Sequence, residues 1–445
     1  MVKIDDSQRA DELGRFFVSL KDRPLEPDDP AYVPDVHVEA SGDPINDLAR
    51  QITWDQGGGT YLFTGQRGTG KSTELRRLRR DLKAQGCTVF LLDMSGYLLE
   101  TEPIEIGDFV ISLMGALSDE VEQLYQTAPA ARSYWQRAVE FMHTELAVKE
   151  VSAQGLKLEL KGNPTFKEKI QAASRNNLSA LVRDARNFVL EVCELVQERE
   201  GANRKIVLIA DSVERLRGVN ADGAKKVFDS AVALFSGNPD NLKFPPLHVV
   251  YSVPPYLSAL TANLSALYSS QMVFLASAHV FETPAAGKSR QHSARGLDAL
   301  RRMVSQRYAN WEAVLSAQQL DRLALATGGD IRDFFRLIRA CLVKAGNPLL
   351  GLPVSDQVLT DVENAMRREM LPIPDEDKDW LKEIATTHQA ELKMMDRLST
   401  LGRYFDTRLV LNYRNGSDWY DVHPLLWEVI DAHESRPDSG TKPAV

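Results

Sequence analysis

The chain has 445 residues, 43% of them apolar and 26% charged, the mix of an ordinary globular protein and not of a disordered or membrane-embedded one. Lys and Arg number 53 against 62 Asp and Glu, a net charge of −9, so no general positive field draws nucleic-acid backbones. Cys87, Cys193 and Cys341 lie far apart with no CxxC or Cys/His spacing, which excludes a disulfide framework and a zinc site and fits the reducing cytoplasm.

Residues 1–50 read as an N-terminal helical and extended segment. It opens on the acidic MVKIDDSQRADELG, which lacks the apolar stretch of a secretory signal. Five short apolar runs follow, TYLFTG at Thr60, TVFLLDM at Thr88, KIVLIAD at Lys205, LHVVYSV at Leu247 and MVFLASAHVF at Met272. Unbroken apolar runs alternating with helical patterns predict a parallel sheet covered by crossover helices, an α/β core over 51–287. The long stretch 95–204 reads as a helical insertion, with a short strand or ribbon expected at LKLELKG. The longest uncharged run, Leu247 to Phe281, is broken by two prolines and many small polar residues, so no membrane span is expected.

After Phe281 the strand pattern ends. Residues 288–350 read as a helical lid. Over 351–432 a helix from about Ser355, its N-cap, to Met370 and two further helices at PDEDKDWLKEIATTH and AELKMMDRLSTLGRY precede the alternating TRLVLNYRN and its partner WYDVHP, the pattern of a winged helix. Residues 433–445 are polar and expected to be disordered.

Gly65 to Ser72, GQRGTGKS, fits G-x-x-x-x-G-K-[ST] between an apolar strand and a helix. Its glycines let successive N–H groups of Gly65, Gln66, Arg67, Gly68, Thr69 and Gly70 turn inward around phosphate oxygens. Lys71 would reach the β- and γ-phosphates, Ser72 the Mg²⁺, and Thr73 the helix N-terminus that adds to the attraction. Beyond it, Leu75, Leu78 and Leu82 form an apolar stripe, which makes Arg76, Arg77, Arg79, Arg80 and Lys83 a solvated face.

Asp211 closes the apolar run KIVLIAD, where a Walker-B carboxylate orients Mg²⁺ and its water. The next position, where many such ATPases carry a glutamate base, is Ser212. Glu214 is the nearest carboxylate that could substitute, or it pairs with Arg215 or Arg217, and slow hydrolysis is expected. Ser252 ends the fourth run, placed to contact a γ-phosphate or the lytic water, or to do no more than end a strand before Pro-Pro. In GGDIRDFFRLIR, Arg332 falls in a first helical turn, where the helix dipole opposes a cation. A nucleotide phosphate, or pairing with Asp330 or Asp333, would offset that cost.

This order of phosphate loop, Walker B, sensor-like strand, helical lid and winged helix resembles the AAA+ and STAND branches of P-loop ATPases, which include origin-recognition initiators and immune-receptor switches. The resemblance covers about Gly58 to Ile430. It implies a five-stranded parallel P-loop NTPase core with a helical lid and a C-terminal winged helix, ATP or ADP with Mg²⁺ as ligands, and Arg332 as a sensor-2 residue. It also implies that His423, in YDVHPLLWEVI, touches ADP as the histidine of STAND winged helices does; here Pro424 replaces the usual aspartate, and a plain helix-capping role is the alternative. Ser252 to Gly287 holds no Arg or Lys, which disfavours an arginine finger in its usual place and leaves Arg290, Arg295 and Arg307 to choose among.

The function these features imply is a slowly hydrolysing regulatory switch ATPase that controls a separate effector or sensor protein, as in prokaryotic signalling or phage defence. It leaves room for a nucleotide-dependent homo-oligomer. The alternative is a DNA-binding AAA+ ATPase of replication initiation or transposition. Between Met370 and Asp431, 12 acidic residues outnumber seven basic ones, a poor footprint for phosphate backbones. A small-molecule kinase would share the loop but would not need the C-terminal wing.

Overall fold

In the structure, a computed structural model, residues 6–38, 42–126, 133–145, 152–216, 221–284, 290–392 and 397–430 are described. The expected disordered tail lies outside them, as does Arg217.

Two helices come first, α1 (Asp6–Ser19) and α2 (Pro44–Trp54), then β1 (Thr60–Gly65), α3 (Lys71–Ala84) and β2 (Thr88–Asp93). The insertion holds α4 (Ile106–Tyr125), α5 (Tyr134–Glu145), α6 (Ala153–Gly162) and α7 (Pro164–Glu200). It is followed by β3 (Ile206–Asp211), α8 (Ala221–Gly237), β4 (His248–Val253), α9 (Thr261–Tyr268) and β5 (Val273–Leu275). The remainder is α10 (Ala294–Arg307), α11 (Ala317–Ala326), α12 (Ile331–Ala345), α13 (Asp356–Glu369), α14 (Asp375–Thr387), α15 (Leu398–Asp406) and the hairpin β6 (Val410–Asn415) and β7 (Ser417–Val422). No helix among the described residues is long and apolar enough to cross a membrane.

The chain divides into two compact units. One is built from residues 45–64 and 74–274 and carries the sheet, whose strands run in the order β2-β3-β4-β1-β5. The pairings β1 with β4, β2 with β3 and β3 with β4 are parallel. Each of β1, β3 and β4 is buried along its whole length, which is why their sequences are unbroken apolar runs. This is an α/β fold built on a parallel sheet.

In the same unit, the insertion packs α4 against α7, a 37-residue element kinked at Asn177. Asp108, buried in the first turn of α4, accepts from Gln171 at 3.0 Å and lies 3.4 Å from Lys167 Nζ, both on α7. The strand expected at LKLELKG is α6 instead. Its alternation places Leu156 and Leu160 one helical turn apart, where both are buried, and leaves Leu158 71% exposed. Ser152 caps it by accepting from the Gly155 N–H. On α3 the expected solvated face needs one correction: Arg77 is 5% exposed, its guanidinium 3.0 Å from Glu74 and 3.6 Å from Asp81. The i, i+3 and i, i+4 spacings of its partners neutralise it inside the packing.

The other unit joins residues 1–44, the phosphate loop 65–73, and everything from Leu275 on. The fifth strand is shorter than its apolar run suggests. Past Leu275 the chain stays buried, but its backbone bonds go to other partners: Ala276 O meets His37 Nδ1 at 3.1 Å and the Ala278 N–H donates to Gly329 O at 3.1 Å. Helices α10 to α12 occupy the stretch read as the lid, and α13 follows it. The two helices α14 and α15 and the antiparallel β6-β7 hairpin complete the chain in the expected order. The lid touches the hairpin where Tyr413 donates its hydroxyl to Gly328 O at 2.6 Å, at a turn whose Gly328 and Gly329 have φ of 60° and 81°.

Candidate nucleotide site

The phosphate loop, in the second unit, follows strand β1 in the chain. Gly68 and Gly70 have φ of 92° and 94°, a region L-residues rarely enter. A Cβ on Gly65 would sit 2.5 Å from Leu275 O, and one on Gly68 would sit 2.8 Å from Arg332 Cβ and 2.9 Å from Asp330 Oδ1. Both positions therefore require glycine. The loop braces itself: Thr69 Oγ1 donates to Gln66 O at 2.9 Å, and Lys71 Nζ donates to Gly65 O at 2.8 Å and Gln66 O at 2.9 Å. Lys71 is 5% exposed, and the tether fixes its ammonium over the loop. At the loop's end, Thr73 Oγ1 accepts from the Leu25 N–H at 3.1 Å. A glycine-shaped cradle with a fixed cation and a following helix N-terminus suits a polyphosphate. Gln66, 1% exposed, reaches the hairpin: Nε2 donates to Val410 O at 2.6 Å, and Oε1 accepts from the Asn412 N–H at 3.2 Å.

The first turn of α12 lies against Gly68. Asp330 is its N-cap, accepting from the Asp333 N–H at 2.8 Å. Arg332 itself pairs with Asp22, Nε to Oδ2 at 2.6 Å, rather than with either aspartate of its own turn. Burial and then the neighbouring Asp333 push the Asp330 carboxyl up to about 6.

Asp333 is fully buried and takes Arg336 at 2.9 Å and Arg408 at 3.0 Å on one oxygen, while its other oxygen lies 4.0 Å from His423 Nε2. His423 caps the short turn Pro424–Leu426, its Nδ1 accepting from the Leu425 N–H at 3.3 Å. The proton of the neutral ring is therefore on Nε2, facing Asp333.

Burial pushes His423 down to about 4, although Asp333 works the other way. Below its unfolded pKa near 6.5 the unfolded chain takes up a proton that the folded chain refuses, so this group costs stability as pH falls from 6.5 toward 4. His423→Asn, which keeps a capping acceptor, should gain on the wild type by about 2 kcal/mol at pH 5 relative to pH 7.5. Urea unfolding at the two pH values measures the difference.

In the sheet unit, Asp211 ends β3 and Ser252 stands one residue before the end of β4. Ser212, in place of the usual glutamate, has φ of 70°, and this left-handed residue turns the chain so that Glu214 comes back over the sheet. Ser252 Oγ donates to Glu214 Oε2. Both are buried, at 0% and 9% exposure. The sequence reading missed Asp93, the register partner of Asp211 at the end of β2, which hydrogen-bonds the Ser212 side chain. Its signal was available, since the apolar runs at Thr88 and Lys205 both reach an aspartate.

Of the three arginines considered as fingers, Arg290 is fully buried against Asp421. Arg307 donates to Ala31 O and lies over the Phe335 ring. Arg295 is exposed.

No family model and no curated protein matches the chain. Among solved structures it is similar to a Walker-type ATPase of Pyrococcus abyssi, at 14% identity and a TM-score of 0.36, over 93% of this chain and 99% of that one. It is also similar to the Aeropyrum pernix ORC2 protein in ADPNP-ADP complexes, at 11% identity and 0.40, over 94% and 96%. A third likeness is to Drosophila ORC bound to AT-rich DNA and Cdc6, at 12% identity and 0.35, over 91% of this chain and 51% of that one.

Proposed function

We propose that the chain is an ATP- and ADP-binding switch of the AAA+/STAND kind, in which the phosphate loop holds the nucleotide and the lid and C-terminal hairpin respond to it. The observation that carries this reading is the close packing of Gly68 against Asp330 and Arg332 in the first turn of α12. A ligand shifts a conformational equilibrium only through contacts that differ between states, and a lid seated on the phosphate cradle supplies such contacts. Lys71 and the loop amides would bind the phosphates, and Arg332 would sense the terminal one. Ser72 would bind Mg²⁺ at the loop, and Asp211 is the proposed Walker-B carboxylate of the sheet unit. Adenine is preferred because the sequence lacks a guanine-reading N-K-x-D.

Glu214, held by Ser252, is the proposed base for hydrolysis. Glu214→Gln keeps an acceptor for the Ser252 hydroxyl but cannot take a proton, so turnover should fall roughly 10²- to 10⁴-fold while ATP affinity is retained. Full turnover in that variant would remove Glu214 from the machinery. A separate protein is the proposed recipient of the switch's output.

The nucleotide that co-purifies with the protein tests the switch directly. Retained ADP supports it, and an empty loop counts against it. Tight, salt-sensitive retention on DNA filters would instead move the reading to a DNA-binding ATPase.

A further inference from the structure

The hairpin has a free edge, and one phosphate-loop side chain occupies it. The His423 N–H donates to Leu409 O at 2.9 Å. Because bonded and non-bonded pairs alternate in an antiparallel ladder, Val410 and Asn412, opposite Val422 and Tyr420, turn their N–H and C=O groups away from β7. An added parallel strand would set the N–H and C=O of one residue against Val410 O and the Asn412 N–H. The Gln66 side-chain amide does so, donating to the first at 2.6 Å and accepting from the second at 3.2 Å. Val410, Asn412 and Gln66 are all 1% exposed or less, so water does not replace these bonds when the amide is removed. The main chain of the same residue accepts from Lys71 Nζ and Thr69 Oγ1. One residue thus shapes the phosphate cradle with its carbonyl and closes the hairpin edge with its side chain.

We infer that Gln66 is the positioning residue through which nucleotide occupancy of the phosphate loop is transmitted to the C-terminal hairpin. This rests on the nucleotide-switch reading and adds to it a specific mechanical link. Nucleotide that fixes the loop fixes the amide against β6, and by reciprocity a seated hairpin favours the binding-competent loop.

The readout is the Asn412 amide, whose hydrogen-exchange rate is followed in the full chain with Mg²⁺ and with no nucleotide, ADP or ATP. Gln66→Ala should speed exchange at Asn412 by roughly five- to thirtyfold, and leave the inward-facing Leu411 and Tyr413 amides protected. Nucleotide should slow Asn412 in the wild type and leave it unchanged in Gln66→Ala. Gln66→Glu, which keeps an acceptor and loses the donor, should retain part of the protection.

If Gln66→Ala leaves Asn412 unchanged, the clasp is absent. If calorimetry shows ADP or ATP binding while wild-type Asn412 exchange does not move, the coupling is wrong and the nucleotide site stands. If neither nucleotide gives heat, the switch reading and the coupling fall together, and the nucleotide-free rates alone decide the clasp. Should Gln66→Ala also expose Leu411 and Tyr413, Gln66→Glu decides: partial protection confined to Asn412 supports the link, and none overturns it.

Discussion

Lys71→Met is expected to weaken ATP binding by roughly 10²-fold or more, beyond the reach of calorimetry for a micromolar site. The ammonium is 5% exposed and held at 2.8 Å and 2.9 Å from two loop carbonyls, so it meets an incoming phosphate already desolvated and positioned. A charge-assisted hydrogen bond contributes about 1.5–3 kcal/mol where a neutral one gives about 1, and the γ- and β-phosphates each offer one. Met fills a similar volume without the charge, so loss of binding without loss of fold separates electrostatics from packing. Lys71→Arg should fail as well, because a planar fork cannot reach both carbonyls from the position of a compact ammonium.

Arg290→Met is expected to destabilise the C-terminal body by about 3–5 kcal/mol, the cost of leaving one partner of a buried ion pair alone. The pair is fully inside, at 0% and 2% side-chain exposure. Arg290 gives two bonds to Asp421, one of them at 2.6 Å, and a third to Ala385 O at 2.9 Å, and its guanidinium carbon lies 4.3 Å from the centre of the Trp427 ring. Burial pushes Asp421 up to about 6 even with Arg290 opposing it. A carboxyl whose folded pKa is raised loses stability as pH rises through that value. Without Arg290 the rise is larger, so the variant's deficit should be greatest at pH 8 and shrink toward pH 5. Urea unfolding at both values checks the magnitude and the sign together.

Much of the core was legible because its strands are buried on both faces and so announce themselves as apolar runs with turn signals between them. The phosphate loop was legible for a different reason: positive φ at Gly68 and Gly70 and close approach at Gly65 leave glycine as the fitting residue. Where two periodicities coincide the sequence misleads. In LKLELKG the leucines alternate, yet Leu156 and Leu160 also stack at i, i+4, and the helix wins because α6 is capped and buries that pair.

Contacts between distant segments left no local trace. Nothing near Gln66 marks the backbone of β6 as its partner, nothing near Arg332 marks Asp22, and the burial of Arg290 depends on an aspartate 131 positions away. His423 likewise meets a residue far away along the chain, since it caps a short turn and faces Asp333.

In the proposed switch, the first turn of α12 and the hairpin feel what the phosphate loop holds. Hydrogen exchange of the full chain with and without Mg²⁺-ATP tests it most directly. Slower exchange is expected at the first turn of α12, around Asp333 and Phe334, and along β6, together with residues 65–73. Protection confined to residues 65–73, with ATP binding verified by its heat and by its loss in Lys71→Met, would contradict it.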